Sequence, residues 1–205
     1  MCLRVPDFYE ERRKMKKIGV LLGFIPLIVY GVLAGNSVAS VTIALAAAIV
    51  ITLLLGWTDL RKGMILSWTN LLLFGCTLIA IGILDIDWII PYMGILIYAT
   101  LAAVTFGSIF ARMPFTLQYA RGMVDKALWD NPYFVHVNVL MTAVWGGVFS
   151  INLGLSAITL TTSGLIGRIA QMITYIVLAI GIIFTLTYPE HVRKKHAPTP
   201  VQDAM

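Results

Sequence analysis

Residues 112–152 read RMPFTLQYARGMVDKALWDNPYFVHVNVLMTAVWGGVFSIN, a polar stretch that runs directly into an apolar one. The part before residue 133 is the longest polar interruption in the chain. The sequence on both sides of it consists of long apolar runs, and such runs match the hydrocarbon core of a bilayer, which is about 30 Å thick. We therefore interpret this stretch as the largest loop of a membrane protein, followed by one of its spans.

The composition supports the same class of protein. Hydrophobic residues make up 59% of the 205 residues and charged residues only 12%, whereas soluble proteins contain about 25% charged residues. The length leaves room for about six spans of about 20 residues and little for a soluble domain. The sequence predicts an all-α polytopic membrane protein built as one helical bundle.

The apolar runs place the boundaries of this bundle. A basic leader occupies residues 1–17, and a proline-rich tail, predicted to be cytoplasmic and disordered, occupies 189–205. Pro26 is expected to kink the first span. The six transmembrane helices are predicted at 18–34, 38–57, 64–84, 88–111, 133–155 and 168–188.

The leader admits three interpretations. Met15 and the two lysines after it resemble a translation start, so residues 1–14 are either a start-site artefact or a short cytoplasmic tail. A cleaved signal peptide is the third interpretation. We favour the first two, because the apolar run 18–34 is longer than the 7–15 residues of a signal h-region.

The basic residues predict the orientation. Fourteen of the fifteen Lys and Arg residues fall in the leader, the 61–62 loop, the 112–126 loop and the tail, while Arg168 alone falls on the opposite side. Cytoplasmic loops of membrane proteins are enriched in Lys and Arg. We therefore expect a multi-pass protein of the cell inner membrane with both termini in the cytoplasm.

The central loop predicts an amphipathic helix over residues 112–131. Apolar residues recur there at helical spacing from Met113 to Leu128, with charged residues largely off that stripe. Such a helix would rest in the cytoplasmic headgroup layer, close to anionic lipids. A helix that docks into a groove of a partner protein is the alternative. The residues expected at the interface are Arg112, Arg121, Lys126 and Trp129.

The fifth predicted span carries the most regular polar pattern in the chain. Its polar residues recur at helical spacing on one stripe, and spans three and six repeat the pattern more faintly. One interpretation is a polar cavity between these spans that holds a lipid headgroup or a small ligand. The other, which we favour, is hydrogen bonding between helices. The stripe consists of Asn70, Thr77, Asn138, Thr142, Trp145, Asn152 and Gln171.

Several classes of function find no support in the sequence. The predicted spans contain no Asp, Glu, Lys or Arg in their interiors, which counts against an ion-coupled transporter. No catalytic motif is present, the two cysteines are not spaced for a metal, and His136 fits an interfacial hydrogen-bonding role better than a haem ligand. We expect no catalytic residue, no metal, no cofactor and no nucleic-acid partner.

One set of residues is spread over approximately residues 18–188: Phe24, Pro26, Arg61, Lys62, Met64, Phe74, Gly75, Thr77, Trp88, Trp129, Asn138, Trp145, Phe149 and Asn152. In these residues the chain resembles the intracellular septation protein A family and its uncharacterised bacterial relatives. The resemblance implies an inner-membrane protein that takes part in cell-envelope upkeep and septum formation, with other envelope membrane proteins as partners and no catalytic residues. The segment 114–121, PFTLQYAR, is closer to the relatives than to the septation protein.

These observations lead to three hypotheses of function. The first is a non-enzymatic membrane scaffold of the septation-protein-A type. The second is a carrier of small molecules or lipids that uses the polar stripe between spans three, five and six. The third is an accessory subunit of a larger membrane complex.

Overall fold

The structure is a computed structural model that describes residues 22–35, 37–122, 124, 126–162 and 164–195. All regular secondary structure in these residues is helical. Two short 3₁₀ segments, Asp87–Tyr92 and Lys126–Leu128, precede the fourth and sixth α-helices. The helices in chain order are α1 Ile25–Leu33, α2 Val38–Arg61, α3 Ile65–Gly82, α4 Met93–Phe110, α5 Phe115–Arg121, α6 Pro132–Thr161 and α7 Leu165–Lys195.

Five helical stretches in the described part of the chain are long and apolar enough to cross a membrane. The predicted class, an all-helical protein with several apolar helices compatible with a multi-pass membrane protein, is confirmed at this level. The predicted first span, 18–34, is described only from residue 22, and its helix α1 has nine residues. A total of six spans therefore stays a prediction, and the leader 1–17 lies outside the described residues. The five stretches are Val38–Arg61, Ile65–Gly82, Asp87–Phe110, Pro132–Thr161 and Leu165–Pro189.

Pro26 does not lie in the middle of a helix, where a kink was expected. It occupies the first turn of α1, a position at which the backbone N–H of a helix has no partner within the helix. The missing N–H of proline therefore removes no hydrogen bond from α1.

The helix after the central loop is longer than predicted. The Ser/Thr/Gly composition of 156–167 predicts a turn, yet α6 continues to Thr161. The hydroxyl of Thr159 donates to the carbonyl of Leu155 at 2.9 Å, and that of Thr161 donates to the carbonyl of Ala157 at 3.1 Å. Because these hydroxyls bond back to their own helix, the threonines remain helical. The next helix, α7, then begins at Leu165.

The chain after the last predicted span is also partly helical. We expected disorder from residue 189 onwards, but α7 passes through Pro189 and ends at Lys195. Residues 190–195 include Glu, Arg and Lys, which are good helix formers, and basic residues are favourable at the C-terminal end of a helix. The prediction of disorder is wrong for 189–195, and residues 196–205 lie outside the described part.

The helices pack as two groups. Helices α1, α2 and α3 contact one another in sequence, while α6 packs against both α4 and α7. Direct contact between α3 and α4 is more limited. The chain reverses direction at Gly63 and at Arg112, whose φ angles are +69° and +57°. After each of these residues, the N–H of the following residue donates to the carbonyl five residues before it, as in helix C-terminal caps: Met64 to Asp59 and Met113 to Ser108.

Helix α5 lies between the two groups and differs from the predicted interfacial helix. It has seven residues and ends before Gly122, a poor helix former. Leu117 of the predicted apolar stripe is buried, whereas Met113 and Leu128 are about half exposed. Among the described residues of 112–131, the helical part is therefore α5 and one 3₁₀ turn, and α5 packs against the bundle. Its buried residues are Phe115, Thr116, Leu117 and Tyr119.

The tight turn between α6 and α7 generates a stability prediction. A Cβ at Gly167 would lie 2.8 Å from the backbone carbonyl oxygen of Thr162, so the substitution Gly167→Ala requires a backbone shift. We expect it to lower the free energy of unfolding by about 1–3 kcal/mol. The measurement is equilibrium unfolding of the purified protein in mild detergent.

The matched control is Gly154→Ala, because a Cβ at Gly154 has no neighbour within 4 Å. This substitution is expected to leave the stability unchanged or to raise it by up to about 1 kcal/mol, since alanine favours a helix over glycine. Equal destabilisation by both variants would show that the contact with Thr162 is not the cause.

Candidate functional site

Helix α5 is hydrogen-bonded to both groups of helices. We call this set of contacts the α5 junction. The Oε1 atom of Gln118 accepts a hydrogen bond from the N–H of Ile65 at 3.0 Å. The N–H of Phe115 donates to Oγ of Ser108 at 3.2 Å. Ile65 and Phe115 are the first residues of α3 and α5, so both bonds satisfy N–H groups that have no partner within their helices.

A second set of bonds at the α5 junction involves the predicted stripe. The Oγ1 atom of Thr116 lies 2.8 Å from the carbonyl oxygen of Asn138 and 2.8 Å from Oγ1 of Thr142. The side-chain amide of Asn138 donates to the carbonyl of Phe134 at 2.8 Å. All three polar residues of this cluster are buried. Asn138 and Thr142 thus fix α5 on α6.

The aromatic residues of α6 form the centre of the bundle. The ring of Phe24 stacks on Trp145 with centroids 4.3 Å apart, and it also meets Phe149 at 6.0 Å and Phe115 at 6.4 Å. Aromatic pairs of this geometry add about 0.5–1.5 kcal/mol beyond their buried area. Phe24 lies directly before α1, so this cluster connects the start of α1 with α5 and α6.

Trp145 also connects α6 to α7. Its indole N–H donates to Oγ1 of Thr185 at 2.9 Å, and Thr185 in turn donates to the carbonyl of Gly181 at 2.8 Å. A Cβ at Gly181 would approach the Trp145 ring to 3.4 Å, so the glycine allows close packing. The polar atom of Trp145 therefore serves contact between helices.

The remaining stripe residues do not gather with these. Asn70 and Thr77 are buried on α3, where Asn70 donates to the carbonyl of Gly23 at 2.8 Å and Thr77 to that of Leu73 at 2.7 Å. Gln171 is exposed. The structure therefore brings Asn138, Thr142, Trp145 and Asn152 together on one buried face of α6, with Asn70 and Thr77 on a separate helix.

Asn152 is unusual among them. Its side chain is fully buried at 0% exposure, and neither its amide nitrogen nor its amide oxygen has a hydrogen-bond partner. Polar groups in the hydrocarbon region of a membrane are normally paired, because no water is present to bond them. This amide is thus a destabilising element of the α6 face.

The predicted interfacial residues lie around Trp129. The Arg121 guanidinium is 5.4 Å from the centroid of the Trp129 ring, and the Lys126 ammonium is 5.9 Å from it. The Trp129 indole N–H donates to the carbonyl of Arg121 at 3.1 Å. Arg112 stands apart, exposed at the end of α4. Three of the four residues are brought together, and their contact with anionic lipid stays a prediction.

The structure also contains a polar pocket that the patterns in the sequence did not predict. It lies between the start of α1, the end of α2 and the start of α3. The predicted second span ends at residue 57 and leaves Asp59 outside it, but Asp59 belongs to the last turn of α2 and is partly buried. The signal in the sequence is the i, i+4, i+7 spacing of Thr52, Gly56 and Asp59, which places them on one helix face. The polar side chains that line the pocket are Thr52, Asp59, Ser67 and Asn70.

Tyr119 of α5 lies behind this pocket. Its hydroxyl is 3.4 Å from Oγ of Ser67, and either atom can donate. Burial raises the pKa of Tyr119 to about 12, the hydrogen bond with Ser67 opposes the rise, and the nearby Asp59 carboxylate adds to it. Tyr119 is therefore a neutral phenol at physiological pH and can either donate to or accept from Ser67.

A larger concavity lies between α3 and α4. We call it the α3–α4 groove. It is open, has a volume of about 500 Å³ and is lined almost entirely by apolar atoms. Cys76, which is exposed, lies on its α3 side. Other lining residues include Leu72, Ala80, Leu96, Thr100 and Val104.

The aromatic centre can be tested with Phe24→Ala. Removing a buried ring that contacts two other helices is expected to lower the free energy of unfolding by about 3–5 kcal/mol. The control Phe110→Ala removes a ring that is 86% exposed, and it should change the stability by less than about 0.5 kcal/mol. Similar losses for the two variants in detergent unfolding experiments would contradict the central role of Phe24.

The unpaired amide of Asn152 leads to the opposite expectation. Asn152→Leu replaces a buried group without partners by an apolar group of similar size, so the free energy of unfolding should rise by about 1–3 kcal/mol. Asn138→Leu is the comparison, because it removes the bond to Phe134 and should lower the stability by about 0.5–1.5 kcal/mol. A loss of stability in Asn152→Leu would mean that this amide has a partner in the membrane.

Comparison with known protein families, with curated proteins and with solved structures finds no match to this chain. The resemblance to the septation protein A family therefore rests on the residues quoted above and stays a prediction.

Proposed function

We propose that this protein is a non-enzymatic membrane scaffold of the septation-protein-A type, which takes part in cell-envelope maintenance or septation by binding other membrane proteins. The observation that carries the proposal is the α3–α4 groove. The envelope setting comes from the resemblance alone. The groove supplies a surface through which such a protein would act.

The chemistry of the groove favours an apolar occupant. The hydroxyl of Thr69 donates to the carbonyl of Ile65 at 2.8 Å, and the hydroxyl of Thr77 is bonded within α3 in the same way. These lining hydroxyls therefore need no further hydrogen-bond partner. A polar solute would gain few hydrogen bonds from such a surface, whereas an apolar helix can cover it without breaking the hydrogen bonds of these hydroxyls.

The size of the lining side chains favours a helix over lipid tails. Cys76, Ala80 and Thr100 are small, and small residues let helix backbones approach closely within a membrane. Close approach gains dispersion energy that flexible lipid tails do not match. We therefore infer that the partner contributes a transmembrane helix that lies along α3 and α4.

The contacts of the polar stripe support packing over transport. Thr142 bonds to Thr116 and Trp145 bonds to Thr185, so both side chains are already engaged between helices. Gln171 is exposed. A carrier that uses this stripe would have to break these bonds to admit a ligand, which makes the carrier the weaker hypothesis.

The distribution of charge supports the proposed orientation. The basic residues of the α2–α3 and α4–α6 connections fall at the end of the bundle opposite to Arg168 and the acidic turn Asp85–Asp87. By the enrichment of Lys and Arg in cytoplasmic loops, the first end faces the cytoplasm of a cell whose inner membrane holds the protein. Its cations lie where anionic lipid headgroups would be.

The groove is tested by filling it. Ala80→Trp places a large ring among the small lining residues and should prevent a partner helix from docking. The control, Ala179→Trp, adds the same ring to an exposed position on α7. Both variants and the unchanged protein are extracted into native nanodiscs, and native mass spectrometry measures the proteins that remain bound at fixed stoichiometry.

The expected result is that Ala80→Trp loses the bound protein and the normal integrity of the cell envelope, while Ala179→Trp keeps both at equal expression. A partner retained by Ala80→Trp would exclude the groove as the binding surface. An intact envelope in cells that lack the protein altogether would exclude the proposed function. A subunit bound at fixed stoichiometry in every preparation would identify the protein as an accessory subunit of that complex.

A further inference from the structure

The polar pocket between α1, α2 and α3 has features that a scaffold does not require. It is largely enclosed, and its cavity volume is about 10 Å³. This is room for one small group. The groups that line it come from three helices, so whatever occupies the pocket contacts all three.

Asn70 is the first indication of a ligand. Its side chain is 1% exposed, and its amide nitrogen donates to the carbonyl of Gly23 at 2.8 Å. Its amide oxygen, Oδ1, is buried and has no hydrogen-bond partner. A buried carbonyl-type oxygen without a partner is unfavourable, and it is satisfied by a hydrogen-bond donor or by a cation.

Asp59 supplies the charge. Its carboxylate lines the same pocket in the last turn of α2 and is partly buried. An ionised carboxylate at the end of an apolar helix, partly removed from water, is stabilised by a positive charge in contact with it. Lys62 acts on this carboxylate through its charge, but it is exposed and does not line the pocket.

Two hydroxyls complete the set of oxygen atoms. Thr52 donates its hydrogen to the carbonyl of Ala48 at 2.8 Å, so the lone pairs of its Oγ1 remain available. Ser67 can donate to the hydroxyl of Tyr119, which leaves the lone pairs of Ser67 available as well. Both residues line the pocket.

We propose that this pocket binds one monovalent cation, held by the Asp59 carboxylate, the Asn70 amide oxygen and the hydroxyls of Ser67 and Thr52. Carboxylate, carbonyl and hydroxyl oxygens are the ligands preferred by hard cations. One carboxylate balances one positive charge. A divalent ion would call for more acidic ligands, and no group of three His, Cys, Asp or Glu residues suited to a metal occurs among the described residues.

Binding at this position would act on the packing of the bundle. The pocket includes Gly23, whose carbonyl accepts from Asn70, and Gly23 directly precedes Phe24 of the aromatic centre. A cation that contacts α2 and α3 together would therefore favour the docked position of the start of α1. The ion would stabilise the folded bundle in proportion to its affinity and concentration.

The test uses the full chain in detergent and follows thermal unfolding in NaCl, KCl or ammonium chloride, with N-methylglucamine chloride holding the ionic strength constant. We expect a saturable rise of Tm with at least one of the small cations. A rise of Tm with ammonium alone would indicate a site for a hydrogen-bonding cation, and a rise with Na⁺ or K⁺ would indicate a site for an alkali ion. A Tm that is the same in all four salts overturns the proposal.

Variants connect the effect to the pocket. Asp59→Asn keeps the shape of the side chain and removes its charge, so the cation dependence of Tm should be lost. Asp130→Asn removes an exposed carboxylate outside the pocket and should keep it. Ser67→Ala retains the charge and should weaken the apparent affinity about tenfold, the effect of losing one contact to a charged group. If Asp59→Asn fails to fold, the comparison between Ser67→Ala and Asp130→Asn decides, and equal affinities there overturn the proposal.

Discussion

The bundle depends on a constraint of helix ends, whose first backbone N–H groups have no partner within their own helix and need one elsewhere. Helix α5 meets this constraint for its neighbours. Gln118 satisfies the first N–H of α3, and Ser108 of α4 satisfies the first N–H of α5. Thr116 joins the same short helix to α6. Because α3 and α4 contact each other only to a limited extent, these bonds hold the two groups of helices together.

Much of the fold could be predicted because hydrophobicity and charge act locally. The positions of the apolar helices follow from runs of apolar residues, and most of the predicted boundaries lie within a few residues of the helices in the structure. The largest boundary errors arise where a local signal was outweighed. Threonines that bond back to their own helix extended α6 through a predicted turn, and a proline did not end α7.

The contacts of the polar residues were less predictable, because they depend on how the helices are arranged. Helical spacing identified the buried face of α6 correctly, from Asn138 to Asn152, because spacing depends on one helix alone. It could not show which neighbour meets each residue, so Asn70 was grouped with α6 although it bonds to Gly23. Asp59 was not predicted as a site residue, because a charged residue near the end of an apolar run is also typical of a loop. Only the arrangement of α1, α2 and α3 places it beside Asn70 and Ser67.

The stacking of Phe24 on Trp145 has a consequence for how the protein is made. Membrane proteins are inserted as they are synthesised, starting from the N-terminus, so Phe24 enters the bilayer long before α6 leaves the ribosome. During that interval its ring has no aromatic partner and contacts lipid or the insertion machinery. The aromatic centre therefore closes late, after α6 is inserted.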